Sequence, residues 1–168
     1  HFWVDAKRGR VFQVDQNGQQ LETISEVAGG KPTGMATWFR EHLPFKILKY
    51  FPQADIDNKF KGLGINMWWD DKESRLFITK RDYILKPNSS CVTLEDNEFY
   101  CTVGEVKTKI SLQDENYFKD VSWTMTYKPK EGMWNSYFTF YPDYSIAHQN
   151  FFQVGYNYGR FEETMWNH

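Results

Sequence analysis

Aromatic residues dominate this sequence and restrict its fold more than any other feature. The chain contains 14 Phe, 10 Tyr and 7 Trp among its 168 residues, whereas Leu and Ala together number only 13. Aromatic side chains favour pleated sheet surfaces, and Leu and Ala are among the strongest helix formers. The composition therefore predicts a mainly β fold. It also excludes intrinsic disorder, because aromatic side chains bury enough surface to offset chain entropy.

Length and charge exclude several classes of protein. A chain of 168 residues fits one β-rich domain, 1–168, or a part of a larger propeller. The formal net charge is −2 and is spread along the chain, so we expect no nucleic-acid recognition. The mean hydropathy is −0.68, and no apolar run approaches the roughly 20 residues of a membrane span. Because the chain begins with His1 rather than Met, we expect a fragment of a longer protein.

Three segments share one spacing, in which an apolar strand, a polar turn and a second apolar strand follow one another. Two residues seven positions apart bracket each turn: Asp5 and Phe12, Asp70 and Phe77, and Tyr127 and Trp134. A repeat of this kind favours antiparallel hairpins arranged as β-propeller-like blades. We expect the three hairpins to occupy equivalent places in successive four-stranded sheets. The alternative is that unrelated hairpins with similar polar turns align in the same way.

Alternation and aromatic or β-branched content predict further strands along the chain. They cover residues 21–24, 76–78, 99–103, 121–127, 134–141, 151–156 and 164–166. Asn17-Gly18 indicates a tight hairpin turn before Leu21, because both residues tolerate positive φ.

Two segments interrupt the predicted strands. A helical insertion spans about 33–60, where Thr33 can cap a short helix. The residues of its buried face recur at helical spacing: Met35, Trp38, Phe39 and His42. This period places Arg40 and Glu41 outward. A loop excursion with a cluster of acidic residues spans about 88–117.

The two cysteines, Cys91 and Cys101, lie ten positions apart with no second pair of Cys or His residues near them. A zinc ribbon needs four such ligands and is therefore excluded. We expect two reduced, structural thiols. The alternative is a small disulfide loop, which would require an oxidising compartment.

The sequence patterns indicate no catalytic, cofactor-binding or metal-binding residue. Asp70 and Asp71 are adjacent carboxylates, but they fall at a predicted hairpin turn, where we expect both to be solvated. The histidines are isolated from one another, at His1, His42, His148 and His168. A nucleophile and its base are therefore not visible, and we expect no enzymatic activity.

Aromatic residues on the predicted strands and helix are candidates for the core. We expect a structural core that includes the following side chains: Trp38, Phe39, Trp123, Trp134 and Tyr137. Aromatic side chains can instead form a platform on which sugars stack, and seven residues are numerous enough for one: Trp68, Trp69, Trp123, Trp134, Tyr137, Tyr141 and Tyr144. Core packing is the stronger interpretation, because alternating aromatic residues stabilise paired strands.

Motifs of packing and turn residues run in order along nearly the whole chain. In its first part they are 5–12, Gly34-Met35, 38–41, Asp57-Asn58, Lys61-Gly62 and 79–83. In its second part they are 122–127, 134–137, 141–144 and 165–168. With these motifs the chain resembles the tail structural proteins of crAss-like gut bacteriophages, in particular the muzzle type that closes the tail tip.

The resemblance implies a fragment of a longer virion protein with a propeller-like β domain. It implies a homo-oligomer in contact with other phage tail subunits, located in the virion tail after assembly in the host cytoplasm. It carries over no catalytic, cofactor-binding or metal-binding residue. We therefore expect a structural protein that acts through protein–protein contacts. The alternative is a carbohydrate-binding module or a glycan-active β-propeller from a gut organism.

Overall fold

The computed structural model describes residues 1–14, 17–57, 62–148, 151–155 and 165–167. The fold is mainly β, with 48% strand and 7% helix, as predicted. The strands are β1 (Phe2–Asp5), β2 (Arg10–Val14), β3 (Leu21–Glu22), β4 (Val27–Ala28), β5 (Lys31–Pro32), β6 (Gly64–Asp70), β7 (Arg75–Arg81), β8 (Tyr83–Leu85), β9 (Val92–Glu95), β10 (Glu98–Val103), β11 (Val106–Ile110), β12 (Phe118–Asp120), β13 (Trp123–Lys128), β14 (Met133–Phe138), β15 (Tyr144–His148), β16 (Phe151–Gly155) and β17 (Met165–Asn167). Helix α1 (Ala36–His42) and a 3-10 helix (Ile47–Lys49) lie within the predicted helical insertion.

All strand pairs in the described part of the chain are antiparallel. The largest sheet has four strands in the order β14-β13-β7-β6. Three sheets have three strands, in the orders β1-β2-β3, β11-β10-β9 and β15-β16-β17, and two are pairs, β12-β8 and β4-β5. Each strand predicted from alternation overlaps one of these strands. The hairpin before Leu21 also forms, but Val14 pairs with Leu21, so its connection is longer than a two-residue turn at Asn17-Gly18.

The three predicted hairpins are β1–β2, β6–β7 and β13–β14, and they share one turn geometry. In each, four residues join the strands, and the last of the four has a positive φ: 67° at Gly9, 49° at Ser74 and 63° at Gly132. Gly9 is also required by packing, because a Cβ there would lie 2.5 Å from the Cα of Arg40 in α1. The common spacing in the sequence therefore reflects a common turn.

The expectation that the hairpins occupy equivalent places in successive sheets is wrong. The second and third hairpins are neighbours in one sheet, because β7 pairs with β13. The first hairpin belongs to the separate sheet β1-β2-β3. Turn geometry is determined locally, whereas membership of a sheet depends on long-range pairing that the spacing does not encode. The described residues form no closed propeller.

Helix α1 packs on one face of the four-stranded sheet and forms the first core there. Phe39 and Trp123 are buried, with 0% and 1% exposure, and their rings contact each other edge to face at 6.3 Å. Trp38 and Trp134 are half-buried against this core. Arg40 and Glu41 are exposed, as the helical period predicts.

The prediction that Tyr137 belongs to the core is wrong, because its side chain is 58% exposed. It lies on β14, an edge strand that pairs with β13 on one side only among the described residues. The rings of Trp38 and Tyr137 lie edge to face with their centroids 6.4 Å apart, so α1 contacts Tyr137 but leaves most of its side chain open. Alternation identified the strand correctly but does not reveal how far the covering helix extends.

The prediction of a loop excursion over 88–117 is wrong, because this segment contains a three-stranded sheet. Strands β9, β10 and β11 pack beside the 3-10 helix and form a second core, in which Phe51, Phe99 and Phe118 meet edge to face. The alternation that marks β10 is lost in β11, where residues 106–109 are all exposed. A strand with two exposed faces carries no hydrophobic period, which explains why it was missed.

The cysteines also differ from the expected reduced thiols. Cys91 and Cys101 form a disulfide, with their Cα atoms 4.8 Å apart. The bond links the start of β9 to its partner β10, where the amide of Thr102 donates to the carbonyl of Cys91. The ten-residue spacing is therefore that of a hairpin whose strands bring the two thiols together.

Loss of this disulfide should lower the stability of the second core. The C91S/C101S variant should lose roughly 2 to 3 kcal/mol of unfolding free energy, because closing a loop of this length restricts the unfolded chain. Urea denaturation followed by tryptophan fluorescence measures the loss, and dithiothreitol should reproduce it in the wild type only. Two thiols that react with Ellman's reagent in the native, unreduced protein would contradict the bond.

The opposite face of the four-stranded sheet carries a third, smaller core. Phe77 and Val154 are fully buried there, and Trp68 and Phe138 pack against them. None of the helices in the described residues has the length and hydropathy to cross a bilayer.

Candidate functional site: a polar groove beside helix α1

A buried ion pair lies where β7 ends. Lys80 and Asp82 are 1% and 0% exposed, and Lys80 Nζ lies 2.5 Å from Asp82 Oδ2. Both residues point toward α1, since positions two apart in an extended chain share a face. Burial lowers the pKa of Lys80 from its usual range, and the charge of Asp82 opposes this shift.

The pair holds the connection between α1 and the 3-10 helix. Lys80 Nζ donates to the carbonyls of His42, the last residue of α1, at 2.9 Å and of Pro44, just after the helix, at 3.0 Å. Asp82 accepts from the amides of Lys46 at 2.7 Å and Ile47 at 3.2 Å, where the 3-10 helix begins. A cation thus meets helix-terminal carbonyls and an anion meets helix-initial amides, the arrangement that the helix dipole favours.

A second buried pair lies on the opposite face of the same strand. Arg81 Nη1 donates to Asp143 Oδ1 at 2.6 Å, and Arg81 Nη2 donates to the hydroxyl of Tyr83 at 3.2 Å. Arg81 and Asp143 are 4% and 6% exposed. The successive charged residues Lys80, Arg81 and Asp82 point to alternate faces and therefore anchor elements on both sides of the sheet.

Asp70 corrects the prediction of a solvated carboxylate pair. It is 2% exposed, whereas Asp71 is exposed. Asp70 Oδ1 accepts from the amides of Lys72 and Glu73, and Asp70 Oδ2 binds Arg75 Nε at 2.9 Å. The hairpin turn was predicted correctly, but the carboxylate folds back to satisfy the turn amides. Its role is structural.

An open groove of about 460 Å³ lies beside the Lys80–Asp82 pair. One wall comes from the end of α1 and the loop after it, and the other from the β12–β13 junction and the end of β14. Its polar and aromatic lining includes His42, Lys46, Asp120, Ser122, Tyr137 and Tyr141. The volume lies within the roughly 300–1,000 Å³ of typical small-ligand sites.

His42 is held in a defined orientation at this groove. Its ring stacks on Trp38 with centroids 4.4 Å apart and planes 4° apart. His42 Nδ1 lies 2.8 Å from the carbonyl of Trp38. A carbonyl oxygen only accepts, so Nδ1 donates this hydrogen bond and Nε2 is left to face a ligand.

Asp120 and Tyr137 form the opposite wall. Asp120 Oδ1 accepts from the amide of Ser122 at 2.8 Å, which fixes the carboxylate at the β12–β13 junction. Partial burial raises the pKa of Tyr137, and the negative charge of Asp120 raises it further. The Tyr137 ring is therefore an exposed aromatic face beside a carboxylate.

The groove offers hydrogen-bonding groups and aromatic faces for stacking. Among the described residues, no three His, Cys, Asp or Glu side chains are grouped to hold a metal. Of the residues predicted from the sequence, the structure brings Trp123, Tyr137 and Tyr141 to the groove and leaves Trp134 on the first core. Sequence reasoning missed Asp82 and Asp120, because no sequence signal distinguished them from solvated charges.

Neither a family model, nor a curated protein, nor a solved structure matches the chain. The roles given to the groove residues therefore rest on their geometry and chemistry.

Proposed function

We propose that the chain is a structural module of a phage tail, of the muzzle type, that acts through protein–protein contacts with copies of itself and with other tail subunits. It works in the virion tail after assembly in the host cytoplasm, and it has no enzymatic activity of its own. The sequence resemblance supports the source and location. One structural observation supports the mode of action: large apolar side chains are exposed on strands at sheet edges.

The β10–β11 hairpin carries the clearest example. Val103 and Val106 face each other across its tip and are 69% and 67% exposed. Strand β11 pairs only with β10 among the described residues, so its other edge presents backbone donors and acceptors. Lys107 and Lys109 make the middle of β11 polar, so the apolar contact surface is the hairpin tip, which lies next to an open strand edge that can pair with another chain.

The four-stranded sheet supports the proposal that the module is propeller-like. Its order β14-β13-β7-β6 gives one antiparallel unit of the size of a propeller blade. The remaining blades would come from the rest of a longer protein or from further copies. The three equivalent hairpins expected from the sequence are not part of this proposal.

Self-association tests the role of the hairpin tip. In sedimentation equilibrium the wild-type chain should associate with increasing concentration, and V103E/V106E should weaken association about tenfold or more, because apolar contacts dominate interface energies. The matched control is V27E, since Val27 is an exposed valine on β4 that is 41% exposed. A wild-type chain that stays monomeric at all concentrations, or a V27E variant that dissociates equally, would contradict the proposal.

The second candidate function is carbohydrate binding, as a binding module or a glycan-active β-propeller. The groove beside α1 favours it, because the groove combines an exposed tyrosine face with fixed polar groups. The two candidates are separable, since association is measured without sugar present.

A further inference from the structure

The groove beside α1 is complementary to a ligand that has several hydroxyl groups and one apolar face. Sugar rings present C–H groups on one face and hydroxyls around the edge, so they require an aromatic surface flanked by acceptors and donors. Tyr137 supplies the surface, with 58% of its side chain exposed, and it contacts Trp38 edge to face. Tyr137 is more exposed than the other exposed aromatic side chains of the described residues, Trp3, Tyr50 and Trp69.

The groups that flank Tyr137 include both hydrogen-bond acceptors and hydrogen-bond donors. Asp120 Oδ1 accepts from the amide of Ser122, and the second carboxylate oxygen has no hydrogen-bond partner among the described residues, so it is available as an acceptor. The hydrogen bond of His42 Nδ1 to the carbonyl of Trp38 leaves Nε2 to bind a hydroxyl, which can donate or accept. Lys46 Nζ donates to the carbonyl of Glu41 and has two further donor positions.

The groove is also held rigidly, which a weak ligand such as a sugar requires. Lys80 and Asp82 fix the loop that carries His42 and Lys46 through four hydrogen bonds to its backbone. Because each ion satisfies the other, the pair adds no net charge to the groove. The lining is therefore suited to a neutral ligand.

We propose that this groove is a saccharide-binding site in which a neutral pyranose ring stacks on Tyr137 and its hydroxyls bind Asp120, His42 and Lys46. The inference rests on the second candidate function and assigns its site. It is compatible with the structural role, because the groove and the β10–β11 tip are formed by different residues.

Titration with neutral oligosaccharides tests the site. The probes are maltotriose, cellotriose, xylotriose, mannotriose and chitotriose, each added to the full chain, with binding followed by calorimetry. At least one should bind saturably. Y137A should weaken that binding about tenfold or more, Y137F should retain most of it because the ring face remains, and D120N should weaken it severalfold.

The matched control is Y50A, since Tyr50 is an exposed tyrosine outside the groove at 39% exposure. It should bind as the wild type does, and all variants should melt within a few degrees of it. Binding that Y137A leaves unchanged overturns the site but leaves the carbohydrate function in place. Absence of binding by all five probes, or saturable binding of capped tetrapeptides instead, overturns both. Neither result bears on self-association.

Discussion

Replacing Asp82 with Ala should lower the free energy of unfolding by about 3 to 5 kcal/mol, because it leaves the buried ammonium of Lys80 without its counter-ion. The same change removes the acceptor for the amides of Lys46 and Ile47. The loop between α1 and the 3-10 helix would lose its anchor to the sheet. Chemical denaturation monitored by circular dichroism measures the loss.

Two further variants test whether the buried ion pair causes this loss of stability. K80M should be less damaging than D82A, because the remaining carboxylate keeps its backbone donors, including the amide of Tyr83 at 2.9 Å. D71A removes an exposed carboxylate and should change stability by no more than about 0.5 kcal/mol. A D82A variant as stable as D71A would show that the buried pair does not hold the loop.

Phe39→Ala should destabilise the protein by about 3 to 5 kcal/mol, because it empties a fully buried aromatic site. Phe39 is 0% exposed and lies edge to face against Trp123 and Trp134, at 6.3 and 4.5 Å between ring centroids. Its loss would separate α1 from the sheet. Thermal and urea unfolding both measure the effect.

The same helix provides the controls for Phe39. T37A alters an exposed position of α1 and should leave stability within about 0.5 kcal/mol of the wild type. W38A should fall between the two, since Trp38 is only half-buried. Equal losses for T37A and F39A would mean that α1 is held by its backbone rather than by this ring.

Local features of the fold were predictable because short-range rules determine them. The three polar turns were found from spacing, since each needs a residue that tolerates a left-handed conformation at its last position, as Gly9 and Gly132 do. The face of α1 was found from the helical period, which placed Phe39 inward and Arg40 outward.

Long-range features were not predictable from one sequence. Pairing of β7 with β13 joins residues more than 40 positions apart, and no local pattern reports it. The exposure of Tyr137 depends on where α1 ends above the sheet. The disulfide depends on β9 and β10 meeting in register.

The candidate groove was the least predictable part, because its residues come from distant segments. His42, Asp120 and Tyr137 meet only through the packing of α1 on the sheet. Asp82 was inconspicuous in the sequence, since a charged residue after a strand usually lies in a solvated turn. Here it is buried because two helix-initial amides and one lysine satisfy it.

The proposed tail location requires that the chain is a virion component, and electron microscopy of virions purified from its source tests this most directly. Gold-labelled antibodies against the purified chain should mark the tail, and the reconstructed tail should contain the four-stranded sheet with α1 packed across it in several symmetric copies. Virions that lack the chain altogether, or that carry label only on the capsid, would contradict the account.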